Sequence, residues 1–146
     1  MYDIDKTDRT IELFIFDVYI AIQKIKKASS NFDNAEALLY DFMAWDSVIR
    51  EFEIIGEASK YLLKVNLLKN ENRKIVDFRN QITHAYFGID QDIVWEIIHK
   101  KLKPFEEDIV QIIGTIDNDL KIELIHSFIE DNNYLDFVVN ALKELV

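Results

Sequence analysis

The segment Arg79-Asn80-Gln81-Ile82-Thr83-His84-Ala85-Tyr86 sets a permanent cation, an amide, an imidazole and a phenol on one helical pattern. Each residue of an ideal helix advances about 100°, so the polar side chains of this segment share one broad face. Phe78, Ile82 and Ala85 fall on the opposite side. The pattern predicts a helix that packs its apolar face on a core and presents the polar groups beside it.

Two groups of this polar face suit the chemistry of a phosphodiester. The guanidinium of Arg79 can hold phosphate oxygens with a planar fork of donors. The imidazole of His84 exchanges a proton near neutral pH. Arginine and histidine also occur on ordinary solvated surfaces, so their spacing alone leaves both interpretations open.

Apolar residues recur at helical spacing on both sides of this segment, which predicts an all-α fold. The predicted helices are 8–28, 35–68, 73–87 and 90–105. Asp33 or Asn34 and Asp90 are candidate N-caps. We expect Pro104 to kink or end the fourth helix, and Gly114 to close the unit.

Residues 117–146 carry two more helical patterns, 120–130 and 134–145, and are net acidic. We therefore divide the chain into a helical domain, 1–115, and a C-terminal helical extension, 116–146. The extension is expected to pack on the bundle or on a partner.

Composition agrees with long helices in one domain. The chain has 146 residues, with three glycines, one proline and no cysteine. No apolar run approaches the length that spans a membrane, and the start of the chain does not resemble a leader. The sequence thus predicts a cytoplasmic protein that does not contact membranes. The aromatic residues at helical spacing are expected to lie in the core. They are Phe14, Phe42, Trp45, Phe52 and Trp95.

The net charge of −10 at first opposes nucleic-acid binding, but the charge is unevenly distributed. The stretch from Gly56 to Lys103 contains nine Lys or Arg and six Asp or Glu, whereas the rest contains eight and twenty-one. The polar segment therefore lies in the basic part of the chain. Candidate phosphate contacts there are Lys60, Lys64, Lys69, Arg73, Lys74, Lys100, Lys101 and Lys103.

Together these residues resemble the HepT-type HEPN family, the ribonuclease toxins of a two-gene toxin–antitoxin system. The family signature is an arginine, four residues, a histidine, one residue and a tyrosine, which Arg79, His84 and Tyr86 match here. Asn80 follows the arginine as the family prefers, and Ile54-Ile55-Gly56-Glu57-Ala58 supports the match independently. The resemblance covers roughly residues 8–114 and implies a HEPN-type up-and-down bundle of four or five helices.

The resemblance also implies a reaction and site residues. Arg79 and His84 would be catalytic in RNA cleavage without metal or other cofactor, leaving a 2′,3′-cyclic phosphate. Asn80 would bind the substrate, which could be tRNA or mRNA. The distribution of charge predicts that Lys74 and Arg73 bind it as well. A homodimer would bring two copies of the motif into one cleft.

Tyr86 has a separate implied role. The partner antitoxin of this family, a minimal nucleotidyltransferase, attaches AMP to the motif tyrosine. The added phosphate would occupy the place of the substrate beside Arg79.

Two alternatives remain. One is a non-catalytic HEPN module that serves as the binding partner of a nucleotidyltransferase, because a fold alone does not specify function. The other is a di-metal bundle, suggested by the Glu-x-x-His pairs Glu96–His99 and Glu123–His126. Helical angles place both pairs away from the apolar face of their helix, which disfavours a buried metal site.

Overall fold

The computed structural model describes residues 10–83 and 88–146, and in these residues every regular element is helical. His84 and Tyr86, the second and third residues of the signature, lie outside this part. The helices are α1 (Ile11–Ser29), α2 (Ala35–Tyr40), α3 (Phe42–Lys64), α4 (Arg73–Thr83), α5 (Gln91–Glu96), α6 (Leu102–Gly114), α7 (Asn118–Asp131) and α8 (Asp136–Lys143). The all-α bundle expected from the sequence is confirmed.

Helix α1 is the central element, since residues on almost all of its sides are buried. Such a helix needs neighbours all round. It packs on α3, on α6 and on α8. Phe16 stacks on Phe128 of α7 with ring centroids 5.1 Å apart, and the Tyr19 hydroxyl donates a 3.0 Å hydrogen bond to the Ala141 carbonyl of α8. The C-terminal extension therefore shares the core of the bundle.

The expected single helix over 35–68 is wrong, because the chain breaks at Asp41. This residue is extended, with φ −90° and ψ 92°, and its carboxylate accepts a 3.1 Å hydrogen bond from the Ala44 amide, capping α3. The break also overturns the expectation that Phe42 is a core residue, since Phe42 begins α3 and is 70% exposed. Phe14 and Phe52 are buried as expected, and Trp45 and Trp95 are half-buried.

The end of α3 is fixed by a left-handed residue. Asn66 has φ +61°, the amide of Leu67 donates to the Leu62 carbonyl at 3.0 Å, and that of Asn66 to Leu63 at 3.1 Å. This is the Schellman arrangement, in which asparagine tolerates the left-handed conformation. A 3₁₀ turn, Asn70–Asn72, then leads into α4.

Two expected caps are confirmed. Asn34 accepts from the Ala37 amide at 2.9 Å, and Asp90 from the Asp92 amide at 2.8 Å. Pro104 does not end a helix. It is the third residue of α6, which directly follows a π-helical turn, Ile97–Lys101. Proline lacks an N–H donor, so the wider turn before it carries the chain past the missing bond. None of the helices in the described ranges has the length and apolarity needed to cross a bilayer.

Candidate functional site

Helices α3 and α4 form the site, and their apolar faces fix how they meet. Phe78 of α4 packs edge-to-face on Phe52 of α3, with ring centroids 5.3 Å apart and both side chains buried. Phe78 and Ile82 are buried as the helical pattern predicted. This packing turns Arg79 toward α3.

Gly56 lets the two helices approach at Arg79. A Cβ atom built on Gly56 would overlap the Cβ of Arg79 and lie 2.8 Å from its Cδ and 3.0 Å from its Cγ. Real side chains do not come so close, so the stem of Arg79 occupies the space that any larger residue at position 56 would need. Glycine is therefore a steric requirement of the Arg79 side chain.

The guanidinium of Arg79 is held by Glu57, the next residue of α3. Arg79 Nη2 lies 3.1 Å from Glu57 Oε2, and Lys60 Nζ lies 3.1 Å from Glu57 Oε1. The Arg79 side chain is 36% exposed, so the charge is accessible while its stem is packed. One carboxylate thus orients two cations at the crossing of α3 and α4.

Arg79 lies at the edge of a groove of about 570 Å³, which we call the Arg79 groove. It is formed by α1, α3 and α4. Its charged residues are Asp17, Arg50, Glu53, Glu57 and Arg79, and its apolar ones are Phe14, Ile54 and Ala58. Carboxylates therefore border the groove together with two guanidinium groups.

The other residues expected to bind substrate lie at different places on the surface. Asn80 is exposed and follows Arg79 on α4. Arg73 is exposed at the start of α4, and Lys74 lines a different groove, between α4 and the α5 region, with Lys101. The structure brings Arg79 to one groove and Lys74 to another.

Two of the candidate phosphate-binding lysines form ion pairs. Lys60 contacts Glu57 at 3.1 Å, and Lys69 Nζ lies 3.5 Å from Asp108 Oδ1. Lys64 Nζ lies 5.7 Å from the centre of the Tyr61 ring, which itself stacks on Phe14 at 4.5 Å. An ion pair at the surface is weak, so Lys60 and Lys69 can exchange their carboxylate for a phosphate at small cost.

The two Glu-x-x-His pairs lie at the surface. Glu96, His99, Glu123 and His126 are all exposed, and the His99 ring packs on Trp95 with centroids 4.1 Å apart. In the described ranges no group of three or more potential ligands converges to hold a metal ion. The outward orientation expected from helical angles is confirmed for both pairs.

The sequence assigned no role to Gly56 and Glu57, nor to Asp17, Arg50 and Glu53, which also line the Arg79 groove. Gly56 and Glu57 were visible as part of the Ile54–Ala58 segment, but their contact with Arg79 depends on how two helices cross. Arg50 carried no signal beyond its charge. Spacing along one helix reports which residues share a face, not which residue of another helix faces them.

The family model described as Ribonuclease HepT-like matches residues 18–112, which is more than half of the chain. The chain therefore belongs to the HepT-like ribonuclease family, as its resemblance to the HepT-type HEPN proteins indicated. Family membership identifies it as a ribonuclease.

The chain is also similar to individual proteins that are named as ribonucleases. A candidate RNase of Methanocaldococcus jannaschii is 28% identical over 104 residues, which cover 69% of this chain and 94% of the relative. A candidate RNase of Caldanaerobacter subterraneus subsp. tengcongensis is 30% identical over 112 residues, covering 74% and 96%. The probable ribonuclease HepT of Thermococcus cleftensis is 33% identical over 87 residues, covering 56% and 71%. No solved structure matches the chain significantly.

Proposed function

We propose that this chain is the toxin of a toxin–antitoxin system and cleaves RNA internally without a metal ion. The observation that carries the proposal is the seating of Arg79, whose stem is packed on Gly56 and whose guanidinium is oriented by Glu57 at the edge of the Arg79 groove. A cation fixed in advance stabilises charge that develops in a transition state better than a mobile one.

In the proposed reaction the ribose 2′-hydroxyl attacks the adjacent phosphorus. His84 acts as a general base and takes the hydroxyl proton as the new O–P bond forms. Arg79 stabilises the negative charge on the non-bridging oxygens, and Asn80 orients the phosphate or the guanidinium. The bond to the 5′-oxygen breaks, that oxygen takes a proton from an acid, and a 2′,3′-cyclic phosphate remains.

The need for both a base and an acid supports a homodimer. Each chain carries one signature histidine, and one imidazole makes one proton transfer at a time. A two-fold axis would bring two copies of α4 together, so that the second His84 protonates the leaving oxygen. A monomeric mass by light scattering, together with full activity, would contradict this arrangement.

Catalysis is tested with His84→Ala and Arg79→Ala, assayed on a single-stranded RNA. General acid–base groups contribute about 10²- to 10⁴-fold, and we expect a loss in that range for His84→Ala. His126→Ala is the matched control, because His126 is an exposed histidine of α7 outside the site. Cleavage by His84→Ala at the rate of His126→Ala would exclude His84 as the general base. If the wild type itself cleaves no RNA, the alternative of a non-catalytic partner of a nucleotidyltransferase is favoured.

Regulation is proposed to act on Tyr86. Its phenolic oxygen would attack the α-phosphorus of ATP, held by the nucleotidyltransferase antitoxin, forming a phosphodiester and releasing pyrophosphate. The new phosphate would compete with RNA for Arg79. Intact-mass spectrometry after incubation with antitoxin and ATP should show AMP added to the wild type and to Tyr40→Phe, an exposed control, but not to Tyr86→Phe. Labelling of Tyr86→Phe would move the site elsewhere.

A further inference from the structure

A second groove lies where the C-terminal extension meets the bundle, and we call it the C-terminal groove. It measures about 470 Å³ and is bordered by α1, α3 and the α7–α8 connection. Tyr134 and Phe137 contribute to it, and both lie beyond the residues that match the family model. This groove is therefore built in part by the extension.

The C-terminal groove is positively charged, unlike the chain as a whole. Of the side chains that the structure describes there, three cations, Lys24, Lys27 and Arg50, and one carboxylate, Glu51, border it. Glu51 is buried, and burial raises the pKa of its carboxyl, while the charges of Lys24 and Arg50 act in the opposite direction. Two of the three cations thus favour the charged form of Glu51. The cations still outnumber this carboxylate, and an excess of positive charge suits a polyanion.

An aromatic platform completes the groove. Tyr134 is 72% exposed although it borders the groove, so its ring is accessible. The connection that carries it is pinned, since the Asn132 side chain donates to the Phe128 carbonyl at 2.8 Å and the Leu135 amide to Asn132 at 3.0 Å. An exposed ring on an ordered turn beside cations is the combination with which proteins bind single-stranded nucleic acid.

The two grooves are neighbours along α3. Arg50 and Ile54, one helical turn apart, border both of them. A strand with a phosphate at Arg79 can therefore pass Arg50 and continue into the C-terminal groove. Among the described residues, the Arg79 groove carries three carboxylates against two guanidinium groups, so these side chains supply little net attraction.

We propose that the C-terminal groove is a binding subsite for single-stranded RNA, in which Lys24, Lys27 and Arg50 hold backbone phosphates and the Tyr134 ring stacks on a base. This inference rests on the proposed ribonuclease function and names where the substrate is held. It also accounts for RNA binding by a chain of net charge −10, since affinity comes from one local cluster of cations.

The aromatic contact is tested by binding of a fluorescent, fully 2′-O-methylated single-stranded RNA, which cannot be cleaved because its 2′-oxygen is capped. Loss of one base–aromatic stack weakens affinity about fivefold or more, which we expect for Tyr134→Ala. Tyr40→Ala is the matched control, because Tyr40 is equally exposed, at 77%, and borders neither groove. Its affinity should equal that of the wild type.

The ionic contact is tested with Lys27→Ala. Lys27 is exposed, and its ammonium lies 5.8 Å from the centre of the Phe137 ring. The cations that lower the pKa of the buried Glu51 are Lys24 and Arg50, so this change removes neither of them. We expect the slope of log affinity against log salt to fall by about 0.7, the value for one phosphate contact on a single strand. Lys121→Ala, on α7 and outside both grooves, should leave the slope unchanged.

The outcomes separate the subsite from catalysis. If the wild type binds the RNA and both Tyr134→Ala and Lys27→Ala bind as well as it does, the subsite is overturned, whether or not cleavage occurs. If both variants weaken binding while the wild type cleaves no RNA, the subsite stands and the proposed catalysis fails. If the variants weaken only the binding of the antitoxin, the groove is a protein interface and the inference is wrong.

Discussion

The side-chain stem of Arg79 of α4 fills the space beside Gly56 of α3 where the two helices cross. A Cβ atom on residue 56 would lie 2.8 Å from Arg79 Cδ. The aliphatic part of Arg79, on which the proposed chemistry depends, is thus packed against α3, while its guanidinium group forms an ion pair with Glu57. The Ile54–Ala58 segment and the signature arginine form one unit for this reason, although they lie on different helices.

Replacing Gly56 with Ala should destabilise the chain. Alanine favours a helix over glycine by about 1 kcal/mol, so the change would stabilise α3 if space were available. Because the new methyl group overlaps Arg79, we expect instead a loss of about 1–3 kcal/mol, with reduced RNA cleavage as Arg79 shifts. Chemical denaturation and a cleavage assay measure the two effects.

Gly114→Ala is the control for this prediction. Gly114 ends α6, and a Cβ atom there would meet no atom within 4 Å. This variant should be as stable as the wild type or slightly more stable. A Gly56→Ala protein with the stability and activity of Gly114→Ala would show that α3 and α4 are not packed as described.

Glu57→Gln should change both kinetic constants. The neutral amide holds Arg79 less firmly, so kcat should fall, by about tenfold if one hydrogen bond between charged groups is lost. It also removes a negative charge from the groove, so KM should fall as well. Glu53→Gln removes the same charge from the groove without breaking the Arg79–Glu57 pair and should lower KM alone. Equal kcat values for the two variants would exclude a positioning role for Glu57.

The raised pKa of Tyr19 should make the stability of the fold depend on pH in the alkaline range. Burial, followed by the charges of Glu106 and Glu144, raises the pKa of its phenol from 10.0 to about 12. A folded pKa above the unfolded one gives stability that is fully present below pH 10 and is lost as the pH rises to about 12. Tyr19→Phe should lose about 1 kcal/mol at neutral pH, with the hydrogen bond to Ala141, and should decline less between those pH values.

Denaturation midpoints measured across this pH range test the Tyr19 prediction. Tyr40→Phe is the reference, because Tyr40 is exposed and makes no comparable buried contact in the described structure. Identical alkaline profiles for Tyr19→Phe and Tyr40→Phe would contradict the account of how α1 and α8 are joined.

The sequence indicated most helices but not where they break or cross. The apolar spacing runs from Leu38 through Phe42 without interruption and predicts a single helix, yet Asp41 caps a new helix there. Periodicity does not detect a cap that falls inside a continuing stripe, because local hydrogen bonding decides it. The π-helical turn Ile97–Lys101, which precedes Pro104, is likewise a geometry that apolar spacing does not encode.

For the site, the sequence identified Arg79 and its neighbours on α4, but not the residues of α3 that contact Arg79. The polar and apolar faces of α4 follow from helical angles, and the burial of Phe78 and Ile82 agrees with them. The contacts of Arg79 with Gly56 and Glu57 follow from how α3 and α4 pack, which depends on side-chain shape across both helices. The roles of His84 and Tyr86 stay predictions, since both lie outside the described residues.

The most direct test of the central claim is cleavage of one labelled RNA in the presence of EDTA, with the ends of the products identified by mass spectrometry. The account predicts that the wild type cuts this RNA, leaves 2′,3′-cyclic phosphate ends, and does not cut the same sequence made as DNA, which lacks the 2′-nucleophile. Arg79→Ala should lose this activity. Activity that disappears in EDTA and returns with a divalent metal, or equal cleavage of the DNA, would contradict a mechanism based on Arg79 and His84.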